Sequence, residues 1–181
     1  CGVDSHTQDA DYVKAGGLLP MFETKLGRVK RLVGTGAPTD DGRLLKMSKS
    51  LNNAILLSDS ADAIKKKVMG MYTDPNRLKA TDPGTIENNP LWEFHDTFNP
   101  DKRWVEETKD RYRAGMVGDV ECKKKLIEVL VDLLGPMQKR RAEYEADPQH
   151  VLNVLRDGAE RASAVAEDTL KQVKEAMKQI Y

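Results

Sequence analysis

Hydrophobic and polar positions change their rhythm along this chain. From Gly2 to Gly42 the sequence is dense in Gly, Pro, Thr and Asp, with one strand-like run, Val29-Lys30-Arg31-Leu32-Val33, closed by Gly34. This region reads as loops around the end of an α/β unit. After a short apolar segment, Ala54-Ile55-Leu56-Leu57, the polar Ser58-Asp59-Ser60 offers caps for a helix that carries Ile64, Val68 and Met71 on one face. Residues 73–84, TDPNRLKATDPG, hold two Asp-Pro pairs and a terminal Gly. Helical periodicity stops there, which predicts a domain boundary between residues 72 and 73.

Beyond that boundary the pattern is helical. Leu91, Phe94, His95 and Phe98 predict one helix, and Trp104, Thr108, Arg111 and Tyr112 predict another after the Asn99-Pro100-Asp101 turn. Gly115 and Gly118 interrupt, and Asp119 is placed to cap a third helix whose residues Leu126, Leu130, Leu133, Met137 and Tyr144 form one apolar stripe. Pro136 falls inside it and predicts a kink, or a break into two helices, near residue 135. Asp147-Pro148 opens the last helix. Its stripe, from Val151 and Leu155 through Ala159, Ala162 and Ala166 to Leu170, Val173, Met177 and Ile180, spans about 45 Å at the helical rise.

Composition narrows the class. Hydrophobic residues make up 39% and charged residues 32%, as in a globular protein rich in solvated helix rather than a disordered one. No apolar run is long enough for a membrane span. Cys1 and Cys122 form no CxxC pair, which fits free thiols in a reducing compartment and predicts a cytoplasmic protein with no metal site. The first residue is Cys rather than Met and no signal-peptide pattern follows, so a preceding segment is expected. The 29 basic and 29 acidic residues cancel, which excludes a uniformly basic nucleic-acid binder and turns attention to local clusters. Two stand out, Lys123-Lys124-Lys125 and Lys139-Arg140-Arg141, and each reads either as a phosphate-tracking patch or as the solvated face of a helix.

The strongest candidate chemistry lies in residues 43–53, RLLKMSKSLNN. Lys46 and Lys49 stand three apart beside Ser48 and Ser50, with Gly34, Gly36 and Gly42 upstream. Glycine permits a mobile loop, and lysine is a compact charge that can follow a phosphate as it moves. Such a segment suits a polyphosphate. Elsewhere the chemistry is thin. His95 has no nucleophile motif beside it, Cys122 reads as a packed thiol, and Trp92 and Trp104 read as core or interface anchors.

Lys46-Met47-Ser48-Lys49-Ser50 is the KMSKS signature of class I aminoacyl-tRNA synthetases. GTGAPTDDGRLLKMSKSLNNAILLSD, KVMGMYTDPNRLKATDPG, GDVECKKKLIEVLVDLLGPMQKRRAEYEADP and LRDGAERASAVAEDTLKQVKEAM together resemble, in order and spacing, the C-terminal part of the bacterial tryptophanyl-tRNA synthetases. The resemblance runs from about Leu32 to Tyr181 and includes Tyr72-Thr73-Asp74-Pro75, a segment that the tyrosyl relatives do not usually carry. It implies a mainly α fold, in which a helical tRNA-binding domain, residues 73–181, follows the C-terminal end of a Rossmann-like α/β nucleotide-binding domain, residues 1–72. It implies ATP-dependent activation of tryptophan and transfer to tRNA, with Mg2+ on the phosphates, in a homodimer. Lys46 and Lys49 would be the catalytic cations, and Lys46, Met47, Ser48, Lys49 and Ser50, together with Gly2 and Asp4, the ATP-binding residues. The basic clusters at 123–125 and 139–141 would face tRNA. Two departures accompany the match: Ser5 stands where the family has glutamine after Gly2-Val3-Asp4, and no His-Ile-Gly-His-like nucleotide signature occurs. The chain by itself is therefore expected to lack a complete active site. The rival readings are a non-catalytic helical RNA-binding module with a relic loop, and a tyrosine-specific relative.

Overall fold

The computed structural model describes residues 25, 27, 29, 31–79 and 81–179. Among them five helices follow one another: α1 (Ala61–Met69), α2 (Pro90–Phe98), α3 (Lys102–Arg113), α4 (Asp119–Ala146) and α5 (Pro148–Ala176). The fold is mainly α, as expected. In the run expected as a strand, by contrast, the described residues form no regular strand: their extended pairing is one isolated antiparallel bridge, Val33 with Lys46. A strand is a pairing rather than a composition, and here the pairing stops after one bridge.

Among the described residues, those from 27 to 143 form one compact unit and those from 144 to 179 belong to another. In the first, Ile64 and Val68 of α1 and the following Met71 share a buried cluster with Leu91, Trp92 and Phe94 of α2, Tyr112 of α3, and Cys122, Leu126, Leu130 and Leu134 of α4.

Helix starts follow the side chains that the sequence supplies. Ser60 Oγ accepts the Ala63 N–H at 3.2 Å, Asn89 Oδ1 that of Leu91 at 3.1 Å, Asp101 Oδ1 that of Trp104 at 2.9 Å, and Asp147 Oδ1 that of His150 at 3.0 Å. Each such cap contributes about 1 kcal/mol. Asp119 does otherwise. It is the first residue of α4, and its carboxylate accepts from the Tyr112 hydroxyl at 2.7 Å and pairs with Arg77 at 3.2 Å. The turn after α3 requires glycine. Gly115 has φ +70°, and a Cβ there would lie 2.2 Å from the Thr81 carbonyl.

Three expectations about the long helices need correction. Pro136 does not break α4 into two helices. The carbonyl that loses its donor belongs to Asp132, which is exposed, so water can satisfy it. The buried stripe of α4 is Cys122, Leu126, Leu130 and Leu134, while Leu133, Met137 and Tyr144 are exposed. Four-residue steps from Cys122 keep one line facing the core, and the line ends with the core at Leu134. In α5 no residue is buried, and Leu155 and Leu170 of the expected stripe are more than half exposed, at 63% and 52%.

Two buried polar side chains lock the 27–143 unit. His95 is fully buried, with ring centroids 5.6 Å from Trp92 and 5.1 Å from Trp104. Its Nε2 lies 3.1 Å from the Cys122 carbonyl, which can only accept, so Nε2 carries the proton and Nδ1 accepts from the Asn99 amide at 3.2 Å. Burial pushes its pKa down from 6.5 to about 4. Lys123 is the second lock. It is 4% exposed, and its ammonium donates to the carbonyls of Met69 at 3.1 Å and Met71 at 2.7 Å and to Thr73 Oγ1 at 3.0 Å. The lysine therefore closes the C-terminal end of α1.

Two stability predictions follow from these locks. Unfolded His95 binds more protons than native His95 between pH 6.5 and about 4, so its contribution is complete above that window and is lost as the pH falls through it. Urea unfolding at pH 7 and pH 4 is expected to lose about 3 kcal/mol through this residue; the loss is read as the difference in pH dependence between the native protein and His95→Gln. Lys123→Met leaves buried carbonyls without a donor and is expected to lower stability by about 1–3 kcal/mol. In the same titration Lys124→Ala, at an exposed position, should change it by less than about 0.5 kcal/mol.

Candidate functional site

The lysine segment is held by backbone pairing on one flank and by a turn on the other. Gly34 N–H donates to the Leu45 carbonyl at 2.9 Å and Met47 N–H to the Leu32 carbonyl at 3.0 Å, which brackets the Val33–Lys46 bridge. Burial is uneven along it. Leu44 is buried and Leu45 exposed, Lys46 is exposed, and Met47 is half-buried against the core. The chain then turns. Asn52 N–H donates to the Lys49 carbonyl at 3.1 Å, and Asn52 itself sits at φ 50°, a conformation that asparagine tolerates better than most residues. Ser48 and Ser50 hydroxyls lie 2.9 Å apart. Lys46 and Lys49 are both exposed, and neither has an ion pair among the described residues. The arrangement presents two uncommitted ammonium groups and two hydroxyls from a fixed backbone, which is chemistry for an anion with several oxygens.

The segment after the turn is also tied down. Lys67 Nζ donates to the Ala54 carbonyl at 2.9 Å and pairs with Asp59 at 2.6 Å. The same Asp59 carboxylate accepts the Leu56 N–H at 2.7 Å. Burial works to raise the Asp59 pKa, yet Lys67 and the Leu56 N–H hold it below the usual carboxylate value. From α4, Gln138 donates to the Asp59 carbonyl at 2.7 Å.

Of the sequence-predicted residues, Lys46, Met47, Ser48, Lys49 and Ser50 come together in this one segment. Gly2 and Asp4 lie outside the described residues. The cluster at 123–125 does not act as one patch: Lys123 points into the interior, Lys124 is exposed, and Lys125 pairs with Glu128 at 3.1 Å. Lys125 lines a groove of about 340 Å³ whose rim also carries Asp101, Glu128 and Asp132, an excess of negative charge that disfavours phosphate. Lys139, Arg140 and Arg141 are exposed on α4. Lys124 and Lys139 lie roughly 22 Å apart along the helix and within about 60° of each other around it. Among the described residues no helix is long and apolar enough to cross a membrane, and no group of three or more His, Cys, Asp and Glu could hold a metal.

The residue that sequence reasoning passed over is Asn53. Its side chain is buried beneath the segment and bonds the backbone at Lys46 and Ser48. The signal was faint: an asparagine three positions past Ser50, in a stretch where asparagine reads as an ordinary turn former.

Comparison with known proteins places this geometry. A tryptophan–tRNA ligase of Clostridium longisporum is 48% identical over 151 residues, 83% of this chain and 42% of that protein. One of Treponema pallidum is 45% identical over 162 residues, 90% of this chain and 46% of that protein. The chain thus spans less than half the length of these curated relatives. The crystal structure of a Campylobacter jejuni tryptophanyl-tRNA synthetase, complexed with ADP and tryptophan, matches with TM-score 0.70 at 24% identity, over 92% of this chain and 50% of that one, a likeness of fold. The sequence pattern of the tRNA synthetases class I (W and Y) matches residues 21–135, and the chain belongs to that family.

Proposed function

We propose that this chain is the part of a tryptophan–tRNA ligase that carries its phosphate-binding lysine segment. The observation that carries the reading is the segment itself: Lys46 and Lys49, exposed and unpaired among the described residues, on a backbone held at 32–35 and 53, in a chain 45–48% identical to tryptophan–tRNA ligases. In the proposed reaction the tryptophan carboxylate attacks the α-phosphate of ATP. A carboxylate–phosphorus bond forms, the α–β bridging bond breaks, and pyrophosphate leaves with growing negative charge. Cations that meet that charge more strongly in the transition state than in bound ATP accelerate the step. Lys46 and Lys49 serve in that role, with Ser48, Ser50 and the Met47 backbone along the nucleotide, and Mg2+ carried on the phosphates themselves. Residues 1–72 then form the end of the nucleotide-binding part, and residues 73–181 the helical part that meets tRNA, through Lys124 and the 139–141 cluster. The parent enzyme is read as a cytoplasmic homodimer.

The test is pyrophosphate exchange into ATP, measured on the intact gene product with tryptophan and with tyrosine. Exchange with tryptophan only is expected. Lys46→Ala and Lys49→Ala should each lower the exchange rate by about 2.7–4 kcal/mol of barrier, roughly a hundredfold to a thousandfold. Exchange that depends on tyrosine, or that survives both substitutions at full rate, would overturn the reading.

A further inference from the structure

Asn53 lies outside the lysine pentapeptide, yet its side chain holds that pentapeptide from beneath. It is 7% exposed. Oδ1 accepts the Ser48 N–H at 2.8 Å, and Nδ2 donates to the Lys46 carbonyl at 3.4 Å, so one planar carboxamide engages the backbone on both sides of Met47. Its own carbonyl accepts the Thr35 N–H at 2.9 Å and the Thr35 hydroxyl at 3.4 Å. Gly34 makes the seat. A Cβ at that position would lie 2.1 Å from Asn53 Nδ2 and 2.4 Å from its Cγ, closer than any side chain can approach. The same Gly34 donates its N–H to the Leu45 carbonyl, one residue before Lys46. Residues 34, 35 and 53 therefore converge on a segment whose two lysines are left exposed.

The geometry points to Asn53 as the positioning residue of the lysine segment: its carboxamide, seated in the notch that Gly34 leaves, fixes the backbone from which Lys46 and Lys49 reach phosphate. This rests on the reading of the two lysines proposed above. A lysine side chain carries four torsions, and a loose backbone would add its own freedom to theirs. Holding the backbone at residues 46 and 48 confines the volume that each ammonium sweeps, and orientation of that kind is worth large rate factors. The position calls for a side chain that both donates and accepts. Aspartate would keep the acceptor for Ser48 but set a carboxylate against the Lys46 carbonyl, leucine would satisfy neither group, and glutamine is one methylene too long for the notch.

Two measurements on the intact gene product test this. Hydrogen exchange at the Ser48 amide, followed by NMR, reads the clamp without reference to function. Protection of at least about tenfold over free chain is expected in the native protein, lost in Asn53→Ala and, from the other side of the notch, in Gly34→Ala. A Ser48 amide that exchanges at the free-chain rate in the native protein overturns the proposal. Pyrophosphate exchange then reads the consequence. Asn53→Ala is expected to lower kcat on the order of a hundredfold, to leave KM for tryptophan within about twofold, and to add nothing in a Lys46→Ala, Lys49→Ala background, since a residue that acts through the lysines has nothing left to position. Full-rate exchange by folded Asn53→Ala, or an equal loss in both backgrounds, overturns the positioning role. Full-rate exchange by the lysine variants with Ser48 protected as expected refutes instead the reading of the lysines, and the positioning role with it.

Discussion

The guanidinium of Arg77 is the fastening on which residues 27–143 depend. Its side chain is 1% exposed, pairs with Asp119 at 3.2 Å, and donates to the carbonyls of Asp82, at 2.8 Å, and of Val117. It lies 4.1 Å from the centroid of the Tyr112 ring. One side chain thus joins the Asp-Pro linker, the end of α3 and the start of α4 in a cation–π and charge-assisted arrangement. Asp119 closes the circuit by accepting the Tyr112 hydroxyl, and burial together with that bond raises the tyrosine pKa so that its proton stays in place. A buried pair of this kind is unforgiving, because removing either partner strands the other charge, at a cost of about 3–5 kcal/mol.

From that start α4 works as a spine. One turn beyond Asp119, Lys123 closes the end of α1; Leu126, Leu130 and Leu134 then fill the core, and Gln138 reaches the Asp59 carbonyl. Asp59 holds Lys67, and Lys67 holds the Ala54 carbonyl next to Asn53. The lysine segment therefore borrows its rigidity from hydrogen bonds that run back to the helical part of the unit. Exposed, uncommitted ammonium groups stand on a backbone with little freedom of its own.

Much of this was legible in the sequence, for local reasons. Ser60, Asp101 and Asp147 mark helix starts because their oxygens satisfy N–H groups within three residues, an arrangement that needs no tertiary information. The lysine segment was legible because five consecutive residues carry the pattern. What escaped depended on the third dimension. Three adjacent lysines at 123–125 look like a patch in text, but a helix turns about 100° per residue, so three in a row cannot share a face, and here the first turns inward. Leu133 and Leu134 are equivalent by composition, and only the line of the core separates them. Pro136 does not end its helix, and the carbonyl whose donor it removes belongs to the exposed residue Asp132. Asn53 was hidden because its partners, at 34, 35, 46 and 48, become neighbours only when the chain folds.

Cys122 is sealed in the same core, fully buried, with burial pushing its thiol up to about 12. At neutral pH almost none of it is thiolate, and no reagent can reach it while α4 stays packed. Its alkylation is therefore a clock for opening of the core, one that the protein carries without any engineered label. The same seal keeps this sulfur out of adventitious cross-links when the protein is handled in air.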